Sequence, residues 1–168
     1  MGIDFECRVK ETPEDYPSMP FDEVPQYLSL QKSLAFSDKE LPDNYLLITA
    51  DTVVIAGGEI LGKPHDRADA LRMMEILSGK THHVVTGVTV RTASKTKSFR
   101  VRSKVTFAVL EPEEMTYYVD HYKPYDKAGA YGIQEWIGYV GIAGLNGSFY
   151  NVMGLPTRKL YQTLKNFC

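Results

Sequence analysis

Between Tyr45 and Pro64 the chain reads Tyr-Leu-Leu-Ile-Thr-Ala-Asp-Thr-Val-Val-Ile-Ala-Gly-Gly-Glu-Ile-Leu-Gly-Lys-Pro, and no other stretch restricts the possible folds as much. Leu46 to Ile48 has the length and residue types of a buried strand. It runs into Thr49-Ala50-Asp51-Thr52, which puts polar groups at the strand's carboxyl end, where open α/β sheets bind their ligands. Val53 to Ile55 leads to Gly57-Gly58, a hairpin turn whose two central residues must accept positive φ. Ile60-Leu61 returns, and Gly62-Lys63-Pro64 is expected to carry an ammonium group back beside Asp51. An acid and a base on one hairpin, with a glycine leaving room, suit a metal-bound phosphate substrate. The same pair would also make a surface salt bridge, and these residues alone do not choose between the two.

On either side of this hairpin the pattern alternates strands and helices. Gly2 to Val9 alternates apolar and polar residues and predicts a strand; Thr12-Pro13-Glu14-Asp15 predicts a short helix start. Val24 to Ser37 carries a helical stripe at Val24, Leu28, Leu30, Leu34 and Ala35, with Lys32 off it and facing solvent. Asp66 to Leu77 is the clearest helix, capped by Asp66 and ended by Gly79. His83 to Arg91 and Phe99 to Leu110 predict two strands, the second alternating at Phe99, Val101, Ser103, Val105 and Phe107. The adjacent His82 and His83 would face opposite sides of their strand, which argues against a metal pair. Glu111 to Tyr122 predicts a helix with acids at its N-terminus, Ile137 to Ile142 a short strand, Gly144 to Ser148 a turn, and Pro156 to Phe167 a closing helix. The small residues of Asp126 to Gln134 suggest backbone in close approach to a strand or a ligand. The class is α/β: a single domain over residues 1–168, a mixed β-sheet flanked by helices.

Composition removes whole classes of function. A net charge of −2 with interspersed signs gives no face for a nucleic-acid polymer. No apolar run approaches the roughly 20 residues of a membrane span, and no signal-peptide pattern opens the chain. Cys7 and Cys168 lack metal-ligand spacing and fit a reducing compartment. A cytoplasmic protein is expected.

Thr-Ala-Asp-Thr at 49–52 with Leu-Gly-Lys-Pro at 61–64, Asp-Lys-Ala-Gly-Ala-Tyr-Gly-Ile-Gln at 126–134, and Asn-Val-Met-Gly-Leu-Pro at 151–156 together resemble the Maf family of nucleoside triphosphate pyrophosphatases. Ser78-Gly79-Lys80, His83 and Thr86-Gly87 match as well, so the likeness covers essentially the whole chain. Thr52 and the Tyr-Gly-Ile-Gln stretch resemble the branch acting on dTTP and UTP. The resemblance implies cleavage between the α- and β-phosphates, with a divalent cation, Mg²⁺ or Mn²⁺, as cofactor. It implies Asp51 as proton acceptor and metal ligand, Glu14 as a second acid near the metal, Lys32 and Lys63 facing the triphosphate, and Thr52 and Gln134 at positions associated with base selection. A carboxylate beside a metal can deprotonate water, lysines stabilise charge moving onto pyrophosphate, and an amide can donate and accept at once. Maf proteins also often look dimeric, so a homodimer is possible; Trp136 could serve such an interface, or a core.

One family feature is missing from the 168 residues: a strand followed by a Ser-x-Ser-Pro-Arg-Arg loop that grips the phosphates. On the resemblance, a strand, that loop and a helix, about 20 to 30 residues by ordinary element lengths, would precede Met1. Two other readings compete. An inosine triphosphate pyrophosphatase shares architecture and reaction, but its motifs do not occur; ITP against dTTP turnover separates them. A non-catalytic nucleotide-binding or protein-binding regulator of cell division would bind UTP without hydrolysing it.

Overall fold

In the computed structural model, which describes residues 1–167, one sheet carries the strands in the order β2-β1-β3-β4-β5, every pairing antiparallel. These are β1 (Leu47–Ala56), β2 (Glu59–Leu61), β3 (Thr81–Arg91), β4 (Thr96–Phe107) and β5 (Ile142–Asn146). The α/β reading holds, and the mixed sheet that was expected is antiparallel throughout the described residues. Its helices are α1 (Val24–Leu34), α2 (Arg67–Leu77), α3 (Pro112–Tyr122), α4 (Trp136–Val140), α5 (Phe149–Val152) and α6 (Thr157–Lys165). No helix is long and apolar enough to cross a membrane among the described residues.

The hairpin forms as its glycines dictate. Gly57 and Gly58 sit at φ 60° and 83°, the two positive values that a tight turn between right-twisted strands needs. β2 covers only Val54 to Ala56 of β1, so among the described residues the stretch from Leu47 to Val53 has β3 on one side and an open edge on the other. α1 packs on one face, where Val24 and Leu28 bury against Val53 and Val85. On the other face Val54 and Val84 meet Met74 and Leu77 of α2 and Tyr118 of α3, and farther along Val88 and Val90 meet Leu160 of α6. α2 begins where expected, Asp66 accepting a hydrogen bond from the Asp69 amide at 2.8 Å, and β4 buries the alternating set Phe99, Ser103, Val105 and Phe107.

Five predicted elements differ, one of them the turn expected at Gly144 to Ser148, of which residues 144–146 belong to β5. Gly2 to Val9 makes no strand and Thr12 to Asp15 no helix; residues 1–20 run over the surface, tied to the body through Arg8 and Lys10 to Glu40. Alternation makes a strand only where a neighbour offers a ladder, and here none does among the described residues. The apolar run Leu46 to Ile48 does not end a strand, because β1 continues unbroken to Ala56. Ile137 to Ile142 is a turn of helix before β5, anchored by the fully buried Ile137. Leu34, placed on the buried stripe of α1, is 56% exposed, and Ser29 and Ser33 are buried instead. Of the two cysteines, Cys7 is exposed, and Cys168 lies outside the described residues.

Candidate active site

The open edge of β1 forms the floor of a cleft of about 650 Å³ that wraps around both faces of the sheet. Successive strand residues point to opposite faces, so Asp51 faces α1 while Thr52 faces α5 and the turn after it. The site is therefore mid-strand, opposite Gly87 of β3, and not at a strand end as the sequence suggested.

On the α1 side four charges alternate. Asp51, its side chain only 9% exposed, is ion-paired with Lys32. The Lys32 ammonium lies 3.9 Å from Glu14 Oε1, and Lys63 donates to the same oxygen at 3.2 Å. All four predicted charged residues converge, with two corrections. Lys32 is not a solvated surface residue, and it, not Lys63, sits on Asp51. Glu14 reaches the site from an exposed coil. Burial pushes the Asp51 carboxyl above the usual aspartate range, against the opposing pull of the Lys32 hydrogen bond and charge.

The proximity of α1 to β1 has a specific cause. A Cβ at Gly87 would stand 2.2 Å from the Gln26 nitrogen and the Pro25 carbonyl carbon. Only hydrogen fits there, and that lets the first turn of α1 lie against β3, with Lys32 two turns on over Asp51.

The second wall is the 126–134 stretch. Gly129, at φ 69°, donates to the Gly62 carbonyl at 3.0 Å and passes so near β1 that a Cβ would meet Val54 Cγ2 at 2.9 Å. The stretch thus approaches a strand, one of the two options its glycines left open. Lys127 pairs with Asp126 at 2.9 Å and Glu135 at 3.2 Å; Glu135 accepts from Tyr118, whose hydroxyl accepts from the Gly132 amide at 2.9 Å. The Tyr131 hydroxyl lies 2.7 Å from Nε2 of the buried His82, which stacks on Phe107. His82 is structural, as expected. Gln134 lines the cleft from this wall with an exposed side chain. Trp136 is half-buried, edge-on to Tyr117 at 4.9 Å and packed on the core.

On the far side of the strand, the Thr52 and Thr86 hydroxyl oxygens are 2.8 Å apart, and Thr86 donates to the Asn151 carbonyl at 2.9 Å. Fully buried Asn151 donates in turn to the Val84 carbonyl at 3.2 Å and to Ser103 Oγ at 3.0 Å, which fixes the Met153-Gly154 turn as the roof over Thr52. Thr86, Lys127 and Asn151 were not singled out from the sequence. Their motifs were visible, but the contacts of Thr86 with Thr52 and Asn151 span 34 and 65 residues of chain, beyond any local pattern.

Two carboxylates converging on one cation leave a donor set that a divalent metal can use. Mg²⁺ is commonly held by one or two carboxylates completed by substrate phosphates, and Asp51 and Glu14 supply that number. No cluster of three or more acidic, histidine or cysteine ligands exists among the described residues.

A family profile described as "Maf-like protein" matches residues 1–167. The chain is 53% identical over 171 residues to a dTTP/UTP pyrophosphatase of Porphyromonas gingivalis, covering 99% of this chain and 86% of that protein. A dTTP/UTP pyrophosphatase of Parabacteroides distasonis is 52% identical over 169 residues, 99% of this chain and 87% of the relative. One from Flavobacterium psychrophilum is 47% identical, covering 99% and 85%.

Proposed function

The chain belongs to the Maf family, and on that premise we propose that it hydrolyses dTTP and UTP to the nucleoside monophosphate and pyrophosphate. The observation that carries this reading is the run Asp51, Lys32, Glu14, Lys63 along one wall of the cleft, joined to the 53% and 52% identity with relatives of that name. Water attacks the α-phosphorus and the bond from it to the bridging oxygen breaks. Asp51 takes the proton from water, and its raised pKa makes it a stronger base than an ordinary aspartate once ionised. Lys32, displaced from Asp51 by the incoming polyphosphate, and Lys63 balance the charge that gathers on the departing pyrophosphate. Asp51 and Glu14 would hold a divalent cation, Mg²⁺ or Mn²⁺, which when bound polarises the phosphate and lowers the pKa of water. Thr52 and Gln134, across the strand from the charges, face the base.

Such triphosphates are cytoplasmic metabolites, and that is where this reading places the protein; a homodimer is checked by sedimentation. The deciding experiment is pyrophosphate release from dTTP, UTP, CTP and ITP with Mg²⁺ or Mn²⁺. Turnover of dTTP and UTP above ITP supports the proposal. Faster ITP turnover favours the inosine triphosphate reading, and UTP binding without pyrophosphate release favours the regulator.

A further inference from the structure

Each threonine hydroxyl has one hydrogen to give. The Asn151 carbonyl has none, so in the 2.9 Å contact Thr86 is the donor. The Thr86 hydrogen is therefore spent, and the 2.8 Å contact between Thr86 and Thr52 is satisfied only if Thr52 donates. Two hydroxyl oxygens at that distance without a hydrogen between them would repel. Thr86 and Asn151 are fully buried, and the two hydrogen bonds of the Asn151 amide, to Val84 and Ser103, hold its backbone in place. The Thr52 hydrogen thus points away from the cleft, and Thr52 presents lone pairs alone to whatever lies under the Met153-Gly154 turn.

We propose that Thr86 and Asn151 set Thr52 as a hydrogen-bond acceptor for the ring N3–H of a pyrimidine imide, and that this polarity rejects cytosine. The proposal rests on the reading that this cleft takes a pyrimidine nucleotide, and it deepens it. Uracil and thymine carry a hydrogen on N3; cytosine carries a lone pair there, which would meet the lone pairs of Thr52. A buried acceptor facing an acceptor loses the hydrogen bond and keeps the desolvation cost, roughly a 10- to 100-fold difference in affinity. Guanine N1–H obeys the same rule, so uracil against cytosine is the diagnostic contrast. Thr86 is a positioning residue: it touches no substrate and acts through Thr52.

The test is calorimetric binding of α,β-methylene-UTP and α,β-methylene-CTP, which cannot be cleaved at the α,β position, to the full chain with Mg²⁺. The natural chain is expected to bind the uracil analogue at least about 10-fold more tightly. Thr86→Val removes the acceptor for the Thr52 hydrogen and frees that hydroxyl to turn and donate. The ratio should then fall toward one, while Thr86→Ser keeps it. A purely structural Thr86 would weaken both analogues equally. Thr52→Val, at a half-exposed position, is the second variant: it should lose affinity for the uracil analogue and leave the cytosine analogue nearly unchanged. An unchanged ratio in folded Thr86→Val, or no preference in the natural chain, overturns the proposal; if Thr86→Val does not fold, equal losses for both analogues in Thr52→Val overturn it. Binding selectivity without pyrophosphate release from dTTP or UTP would sink the pyrophosphatase reading alone, and hydrolysis without selectivity would sink this inference alone.

Discussion

Replacing Gly87 with alanine changes one atom at a position that touches no substrate, yet it should disable the site. The new Cβ would lie 2.2 Å from the Gln26 nitrogen, whereas ordinary contact begins at 3.4 Å. The clashing atoms are backbone on both sides, so no rotamer change relieves them, and α1 must retreat by about 1.2 Å, the difference between those two distances. That withdrawal loosens Val24 and Leu28 from Val53 and Val85. A radial gap of that size forfeits on the order of a quarter to a half of each dispersion contact, and overpacking of this kind costs about 1–3 kcal/mol. We expect the upper end, because a helix moves and not a side chain. The same shift carries Lys32 away from Asp51, and a misplacement of about 1 Å can cost on the order of 100-fold in rate. Urea denaturation gives the stability change, and kcat/KM for dTTP gives the second effect. A Gly87→Ala protein within about 0.5 kcal/mol of the natural one, with unchanged kcat/KM, would refute the close-packing argument and the role assigned to α1.

Asp51→Asn is expected to lower kcat by roughly 10²–10⁴ without lowering Tm by more than a few degrees, because burial already disfavours the ionised carboxylate; turnover near the natural level would remove Asp51 as the base. The raised Asp51 pKa belongs to the metal-free chain: an NMR titration without divalent cation should place this carboxyl above the ordinary aspartate range, and a value at or below that range would contradict it. Lys63→Ala, at a side chain 55% exposed, should leave stability unchanged and reduce kcat/KM for dTTP and for a purine triphosphate by similar factors; a loss selective for one base would place Lys63 at the base. His82 is held down to about 4 by burial and by its neighbour His83, whereas the unfolded chain takes up that proton near 6.5. Stability is therefore lost as pH falls from 6.5 to about 4, a contribution on the order of 3 kcal/mol. Urea titrations at several pH values should show a shallower slope for His82→Phe, and identical slopes would refute it.

What could be read from the sequence was local. Asp66 as a cap, the Gly57-Gly58 turn and the alternation of β4 each rest on residues within a few positions of one another, and each appears in the fold. The predicted strand at Gly2 to Val9 failed because pairing is decided by a distant neighbour, not by alternation. The charged residues of the site could be named in advance, but not their partners: Lys32 looked solvated because a helical stripe says nothing about the strand beneath it. Thr86 and Asn151 were invisible as a pair for the same reason. Their contact joins β3 to α5, and only the folded sheet brings those together.

Asp51 and Thr52 are consecutive, yet they stand on opposite sides of the pleat, one among the lysines and one under the Met153-Gly154 turn. On the proposed roles, one peptide bond separates the group that cuts from the group that reads. Exchanging the residue at 52 re-addresses the cleft while the cutting side is untouched. A one-residue change of length between the hairpin and Asp51 does the opposite: an insertion turns Thr52 toward Lys32, a deletion turns Asp51 toward Thr86 and leaves Ala50 under Lys32, and either way both sides of the pleat are lost together. In descendants of this chain, the segment from Leu47 to Ala56 should therefore vary in spelling and keep its length.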